Sequence, residues 1–294
     1  MEWIPAKTIL QSIRYNEHWF GLDYNMNLYK GCCHGCIYCD SRSECYRIEN
    51  FDTVRGKSDC LSLLEQELKA KRKTGVVGIG SMSDTYNPFE KQFKITRGAL
   101  KLLQQYGFGV SLATKSDLVT RDIDILQDIA KQSPCLIKIT VTTASDELSQ
   151  KIEPHVCVSS KRFSAVEQLR KSGIFTGILL MPVLPFLTDT EENIRALVRM
   201  ASNSGAKFIY ALFGVTLRQN QRSYYYQQLD QQFPGLKAQY VSAFGESYEC
   251  CSPQAKELYT VFREECEKYH LLYRMPDIIA AYRKPKTEQL SLEL

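Results

Sequence analysis

Gly31-Cys32-Cys33-His34-Gly35-Cys36-Ile37-Tyr38-Cys39-Asp40 (GCCHGCIYCD) is the stretch from which the rest of the chain can be read. Cys32, Cys36 and Cys39 follow a C-x3-C-x2-C spacing. Three thiolates on one tight loop can hold three irons of a 4Fe–4S cluster and leave the fourth iron open to a small molecule. An electron-transfer cluster ordinarily takes four cysteines. Gly31 and Gly35 let the backbone fold closely around such a group. Two other readings use the same residues. Cys33, Cys36 and Cys39 start a ferredoxin-like C-x2-C-x2-C run, but its fourth position is Ser43, followed by Glu44 instead of proline. Cys33, His34, Cys36 and Cys39 form a set of zinc donors. Against zinc, neighbours 33 and 34 rarely point at one metal, and no second C-x2-C follows. In the cluster reading Cys33 is a spectator that faces away.

The wider composition suits a globular protein with a metal in a reducing compartment. The 294 residues are 44% hydrophobic and 24% charged, which excludes disordered, collagenous and low-complexity classes. A net charge of +4 neither identifies nor excludes a nucleic-acid partner. The length fits about two domains, or one α/β barrel. Eleven cysteines are many, and Cys32, Cys33, Cys36, Cys39 and Cys45 crowd into fourteen residues. The opening MEWIPAKTIL lacks the layout of a signal peptide. The longest apolar stretch, residues 173–187, is broken by Pro182 and Pro185 and is too short to span a bilayer. A cytoplasmic protein with no membrane segment is expected, its clustered thiols binding metal instead of forming disulfides.

Downstream of the loop, short apolar runs alternate with amphipathic segments. Strands are predicted over residues 24–29, 76–81, 109–114, 135–142, 175–184 and 206–215. Helices are predicted over 59–72, 95–106, 121–132, 161–171 and 190–202, the last opened by the capping candidates Asp189 and Thr190. Strands separated by helices of this length pair in parallel through crossovers. Six units do not complete an eightfold barrel. The expected fold is therefore α/β, a partial (β/α)6 TIM-like barrel with its working loops at the strand C-terminal ends; a flat doubly wound sheet is the alternative. From residue 216 the pattern changes to a Gln- and Tyr-rich stretch (217–234) and a long amphipathic helix (253–269). This gives an expected core of residues 1–215, with the cluster loop at 31–40, and a C-terminal helical extension over 216–294. The polar end from Lys284 is expected to fray.

These residues resemble a known family. The cysteine spacing, with the aromatic Tyr38 before the last cysteine and on the loop after a first barrel strand, resembles the radical S-adenosylmethionine (radical SAM) superfamily. In detail the chain is similar to its spore photoproduct lyase-like branch, often labelled DNA repair photolyases. The similarity extends from residue 25 to 282. It continues through Gly80-Ser81-Met82-Ser83-Asp84, Ala113-Thr114-Lys115-Ser116, Arg121-Asp122-Ile123-Asp124, Thr142-Thr143 with Glu153-Pro154, and Pro182-Val183-Leu184-Pro185 with Thr188-Asp189.

The resemblance implies a 4Fe–4S cluster on Cys32, Cys36 and Cys39, with S-adenosyl-L-methionine chelating the open iron. It also implies reductive cleavage of that cofactor to a 5′-deoxyadenosyl radical, and hydrogen abstraction from a substrate. The implied cofactor contacts are Tyr38 near the adenine, Ser83 and Asp84 near the methionine amino group, Lys115 at the carboxylate, and Thr140 and Ser116. An electron donor such as flavodoxin or ferredoxin is implied as partner. Two departures stand out. The lyase has a hydrogen-donating cysteine where this chain has Ser81, and a tyrosine where it has Asp40; both speak against thymine-dimer repair, so the substrate is left unidentified.

Nucleic acid is one candidate, because Arg218, Arg222 and the run Tyr224 to Tyr226 could contact phosphates and stack bases. The rival reading of the whole chain is a metal-stabilised nucleic-acid-binding module without catalysis. Cys250, Cys251 and Cys266 read as buried thiols more readily than as ligands of a second cluster. His155 and His270 read as structural.

Overall fold

The computed structural model describes residues 1–13 and 19–283; the expected fraying from Lys284 lies outside them. Six strands form the parallel part of the main sheet: β1 (Tyr24–Met26), β2 (Val76–Ile79), β3 (Gly109–Thr114), β4 (Cys135–Thr140), β5 (Phe175–Leu180) and β6 (Ile209–Ala211). They lie side by side in chain order, each parallel to the next, with Leu10–Ser12 antiparallel on the outer edge of β1. This order decides between the two architectures. A doubly wound sheet reverses its order at a switch point, whereas an unbroken order sends every right-handed crossover to one face. The sheet therefore curls as a partial barrel, open between β6 and Leu10–Ser12.

Every residue of β2 and β4 is buried, which explains why these strands read as continuous apolar runs without alternation. Helices α1 (Cys60–Ala70), α2 (Ile95–Gln105), α3 (Ile123–Gln132), α4 (Ser159–Lys171) and α5 (Glu191–Asn203) link them. In α2 the buried Ile95, Ala99, Leu100 and Leu103 repeat at helical spacing. The Thr190 hydroxyl caps α5 by accepting from the Asn193 amide at 3.2 Å. The pleat divides β4 between two environments. Ile137 and Ile139 pack with the helices, while Leu136 joins Phe20, Leu179 and Phe208 on the other face, with Lys138 and Thr140 in register above it.

Several predicted strands are shorter, each for a local reason. The stretch expected over 175–184 ends at Leu180, since Pro182 has no amide to donate. The one expected over 206–215 breaks into β6 and Gly214–Thr216, which pairs antiparallel with Glu249–Cys251. Tyr29–Lys30 leaves the main sheet to pair with Arg55–Lys57 in a small separate sheet.

Beyond residue 216 come α6 (Gln221–Gln232), α7 (Leu236–Phe244), α8 (Ala255–Lys268) and α9 (Met275–Arg283). Leu258, Phe262 and Cys266 of α8 share a hydrophobic cluster with Ile194, Leu197 and Val198 of α5. No helix among the described residues is long and apolar enough to cross a membrane.

Candidate active site

A cavity opens at the C-terminal ends of the first four strands. Cys32, His34, Cys36 and Cys39 from the loop after β1 line it, with Ser81, Ser83 and Asp84 after β2, Lys115 after β3 and Thr140 ending β4. Cys33 is not in the lining; it packs against the main hydrophobic cluster instead. The zinc set of Cys33, His34, Cys36 and Cys39 is therefore not assembled. Among the described residues no group of three or more His, Cys, Asp or Glu side chains is arranged to hold a single ion.

The loop is held at both ends by backbone. The Cys32 amide donates to Phe51 O at 2.8 Å and the Ile37 amide to Ile152 O at 3.0 Å. Gly31, at φ +80°, leaves no room for a side chain: an added Cβ would lie 2.4 Å from Thr53 O and 2.7 Å from Phe51 O. Gly31→Ala should accordingly destabilise the fold by at least about 2 kcal/mol, through left-handed strain plus a backbone clash. Urea unfolding measures it; a midpoint equal to the wild type would mean that the loop relaxes freely.

Burial dominates the electrostatics. It raises the Cys32 and Cys36 thiols, Cys36 to about 12, with Lys115 pulling the latter back down. For Lys115, burial favours the neutral amine, but Cys36, Glu153, Cys39 and Asp84 together outweigh it and raise its pKa. Burial lowers the His34 pKa against the opposing pull of Asp84, whose Oδ2 is 3.5 Å from Nδ1.

The expected cofactor contacts separate into two groups. Ser83 lines the cavity with a buried hydroxyl that has no hydrogen-bond partner among the described residues, and Thr140 and Lys115 also face it. Asp84 lines it too, but its carboxylate is already engaged. It accepts from the Tyr86 amide at 2.9 Å, Thr114 Oγ1 at 2.7 Å and the Lys115 amide at 2.8 Å. It therefore pins the end of β3 as well as facing the site. Tyr38 and Ser116 lie outside the lining. Tyr38, expected near an adenine, is only 6% exposed and donates its hydroxyl to Glu153 Oε1. The Ser116 hydroxyl accepts from the Leu118 amide at 3.3 Å as a cap. The motif Glu153-Pro154 signalled Glu153; nothing in the spacing signalled its buried partner Arg162.

Asp40, beside the third cysteine, ties the loop to the C-terminal part. It accepts from Tyr46 at 2.6 Å, Arg218 Nε at 3.2 Å and Thr216 at 3.3 Å. The tyrosine run is also occupied. Tyr225 is fully buried and bonded to the Tyr240 hydroxyl at 2.9 Å, and the Arg42 guanidinium stacks 3.8 Å from the Tyr224 ring centre. Two of the three tyrosines that the binding-module reading relied on are thus engaged within the chain. Cys250 and Cys266 are buried in two different clusters and Cys251 is exposed, so these thiols do not converge on a second metal.

A sheet of six parallel strands in chain order, with three cysteines facing one cavity at the strand ends, meets a matching family model over residues 26–199, described as the radical SAM superfamily. The chain belongs to this superfamily. It is 28% identical over 226 residues to an uncharacterised protein of Mycobacterium tuberculosis, covering 74% of this chain and 66% of that one. It is 34% identical over 174 residues to an uncharacterised protein of Methanocaldococcus jannaschii, covering 59% of this chain and 65% of that one. The matches thus span just under two thirds of these relatives.

Among solved structures, spore photoproduct lyase complexed with dinucleoside spore photoproduct aligns at TM-score 0.65 and 13% identity, over 91% of this chain and 79% of that one. The radical SAM methyltransferase TsrM from Kitasatospora setae aligns at TM-score 0.53 and 13% identity, over 83% and 51%. At such identities the shared property is the fold. Superfamily membership supports enzymatic activity; the partial-barrel fold is the one that in this superfamily goes with a 4Fe–4S cluster and S-adenosylmethionine.

Proposed function

We propose that this radical SAM protein binds one 4Fe–4S cluster through Cys32, Cys36 and Cys39, binds S-adenosyl-L-methionine beside it, and abstracts a hydrogen atom from a substrate. The observation that carries the reading is the donor set: the three thiols and the Lys115 side chain face a single cavity, and the neighbouring Cys33 is turned out of it. The residues fit the group. Ser83 supplies a buried hydroxyl with no partner among the described residues, which a polar ligand would satisfy.

When bound, the cluster and S-adenosylmethionine supply one-electron cleavage of the sulfonium and a carbon radical that takes a hydrogen atom from the substrate. The chain's own contributions are positional and electrostatic. Lys115 offers an ammonium to a carboxylate, and Asp84 fixes the backbone from which it projects. Ser83 can donate to or accept from an amino acid moiety, and Thr140 closes the cavity beside it. Burial of the loop excludes water from a reactive site. Ser81 has an O–H bond too strong to return a hydrogen atom to a product radical, so repair of a thymine lesion by the lyase's route is not proposed.

The spore photoproduct lyase-like branch is the assignment favoured by the ordered motifs and the fold likeness. In this reading residues 1–215 form the catalytic core. Residues 216–294 are an extension whose Arg218 and Thr216 strap the cluster loop at Asp40. An external one-electron donor of the flavodoxin or ferredoxin kind completes the system. The cysteines, all free, suit the reducing cytoplasm.

The test is anaerobic reconstitution with iron and sulfide, reduction with dithionite, and measurement of S-adenosylmethionine binding and 5′-deoxyadenosine. Wild-type protein should show a change in the reduced-cluster electron paramagnetic resonance (EPR) spectrum on adding S-adenosylmethionine, and release 5′-deoxyadenosine. Ser83→Ala should need about tenfold more cofactor, the worth of one hydrogen bond to a charged group. A loaded, reducible protein whose spectrum ignores S-adenosylmethionine would sink the proposal.

A further inference from the structure

Behind the cysteine loop lies an ion pair with no solvent contact. Arg162 of α4 and Glu153 are both 0% exposed, and Arg162 Nη1 is 2.6 Å from Glu153 Oε2. The pair is wired to both sides of the cavity. Arg162 donates to Thr140 O at 3.0 Å and to Cys157 O at 2.8 Å, fixing the end of β4. Glu153 accepts from the Tyr38 hydroxyl and, at 3.4 Å, from Thr142. On the loop side, the Ile37 amide donates to Ile152 O, the His155 amide donates to His34 O at 3.1 Å, and Gln221 Nε2 donates to Tyr38 O at 2.9 Å.

A tether alone does not need two buried charges. Taking both out of water costs several kcal/mol per ion, and a well-packed apolar substitute often serves stability equally well. Nor is this pair fully satisfied, since Arg162 Nη2 is buried without an acceptor among the described residues. What a charge pair provides, and a methyl group does not, is a fixed field. Both charges stand beside the loop: Glu153 holds the hydroxyl of Tyr38, the residue directly before Cys39 and two after Cys36, and Arg162 lies directly behind Glu153. Lys115, Nζ 5.6 Å from the Tyr38 ring centre, occupies the same space.

We infer that Glu153 and Arg162 are positioning residues that hold the cysteine loop through Tyr38 and set the reduction potential of the cluster bound there. The inference rests on the cofactor reading above and adds to it the residues that tune the group. Reduction adds negative charge to the cluster, so a nearby carboxylate opposes it and a nearby guanidinium favours it. Removing each should move the potential in opposite directions, which a merely structural role would not do.

The experiment is a redox titration of reconstituted protein, followed by EPR of the reduced cluster, with iron counted per chain. Glu153→Gln, near-isosteric and neutral, should be easier to reduce by about tenfold in the equilibrium constant, equal to about 59 mV for one electron. Arg162→Met should be harder to reduce by a similar factor, and the double variant should return towards the wild type. Equal potentials, or shifts of the same sign, in variants with full iron overturn the inference. If Arg162→Met does not fold, Glu153→Gln decides alone: an unchanged or lowered potential overturns it. Wild-type protein that takes up no cluster overturns the cofactor reading itself, a distinct outcome.

Discussion

Cys36→Ala is expected to leave the reconstituted protein without its brown iron–sulfur absorbance and without detectable 5′-deoxyadenosine, whereas Cys33→Ala keeps both. The two cysteines are three residues apart on one loop, so the contrast tests the register directly. Cys36 faces the cavity with Cys32 and Cys39, and removing it leaves two protein thiolates for a cluster that needs three to stay anchored. Cys33 packs among apolar side chains, where alanine removes one sulfur atom and leaves the donor set intact. The iron content after anaerobic reconstitution decides. Iron lost from Cys33→Ala as well as from Cys36→Ala would mean that the ligands are Cys33-based and that the register is not the Cys32, Cys36, Cys39 one.

The parts legible in the sequence are those set by local pattern. β2 and β4 are covered on both faces, so VVGI and CLIKIT stand out from the polar segments around them. The cysteine spacing is itself local, and so are Lys115 and Ser83 at strand ends, where an α/β sheet places its ligands. The illegible parts depend on partners far away in the chain. Tyr38 reads as an aromatic available for stacking until Glu153, more than a hundred residues on, takes its hydroxyl. Arg162 looks like one more charge on an amphipathic helix, and only the fold shows it sealed against Glu153. Tyr29 reads as the last residue of the strand that begins at Tyr24, yet Tyr29–Lys30 turns to Arg55–Lys57, a pairing set by tertiary geometry. Asp40 likewise acquires its role from Arg218 and Thr216 across the molecule. Spacing finds the cysteines that face the cavity; the groups that hold their loop are found only in three dimensions.

Replacing Lys138 should raise stability by several kcal/mol at neutral pH. Lys138 stands in β4, two residues before Thr140 on the same face, and is 2% exposed. Its ammonium donates to Ser111 Oγ at 2.8 Å and lies 4.5 Å from the Phe20 ring centre. No carboxylate among the described residues forms an ion pair with it. Burial therefore pushes its pKa down from 10.5 to about 7.

The folded value is below the unfolded one, so the unfolded chain holds more protons between about pH 7 and 10.5, and stability rises with pH across that window. Below about pH 7 both states are protonated and the full cost of the buried charge is present, on the order of 3 to 5 kcal/mol. Lys138→Met alone would strand the buried Ser111 hydroxyl, at about 1 to 3 kcal/mol. The informative variant is therefore Lys138→Met with Ser111→Ala, which removes both polar groups together. Urea unfolding at pH 7 and pH 10 is the measurement. The double variant should be more stable at pH 7, and its advantage over the wild type should shrink as the pH rises. An absent advantage would show that the Lys138 charge carries no cost, and an advantage that does not change with pH would show that it comes from packing and not from the buried charge.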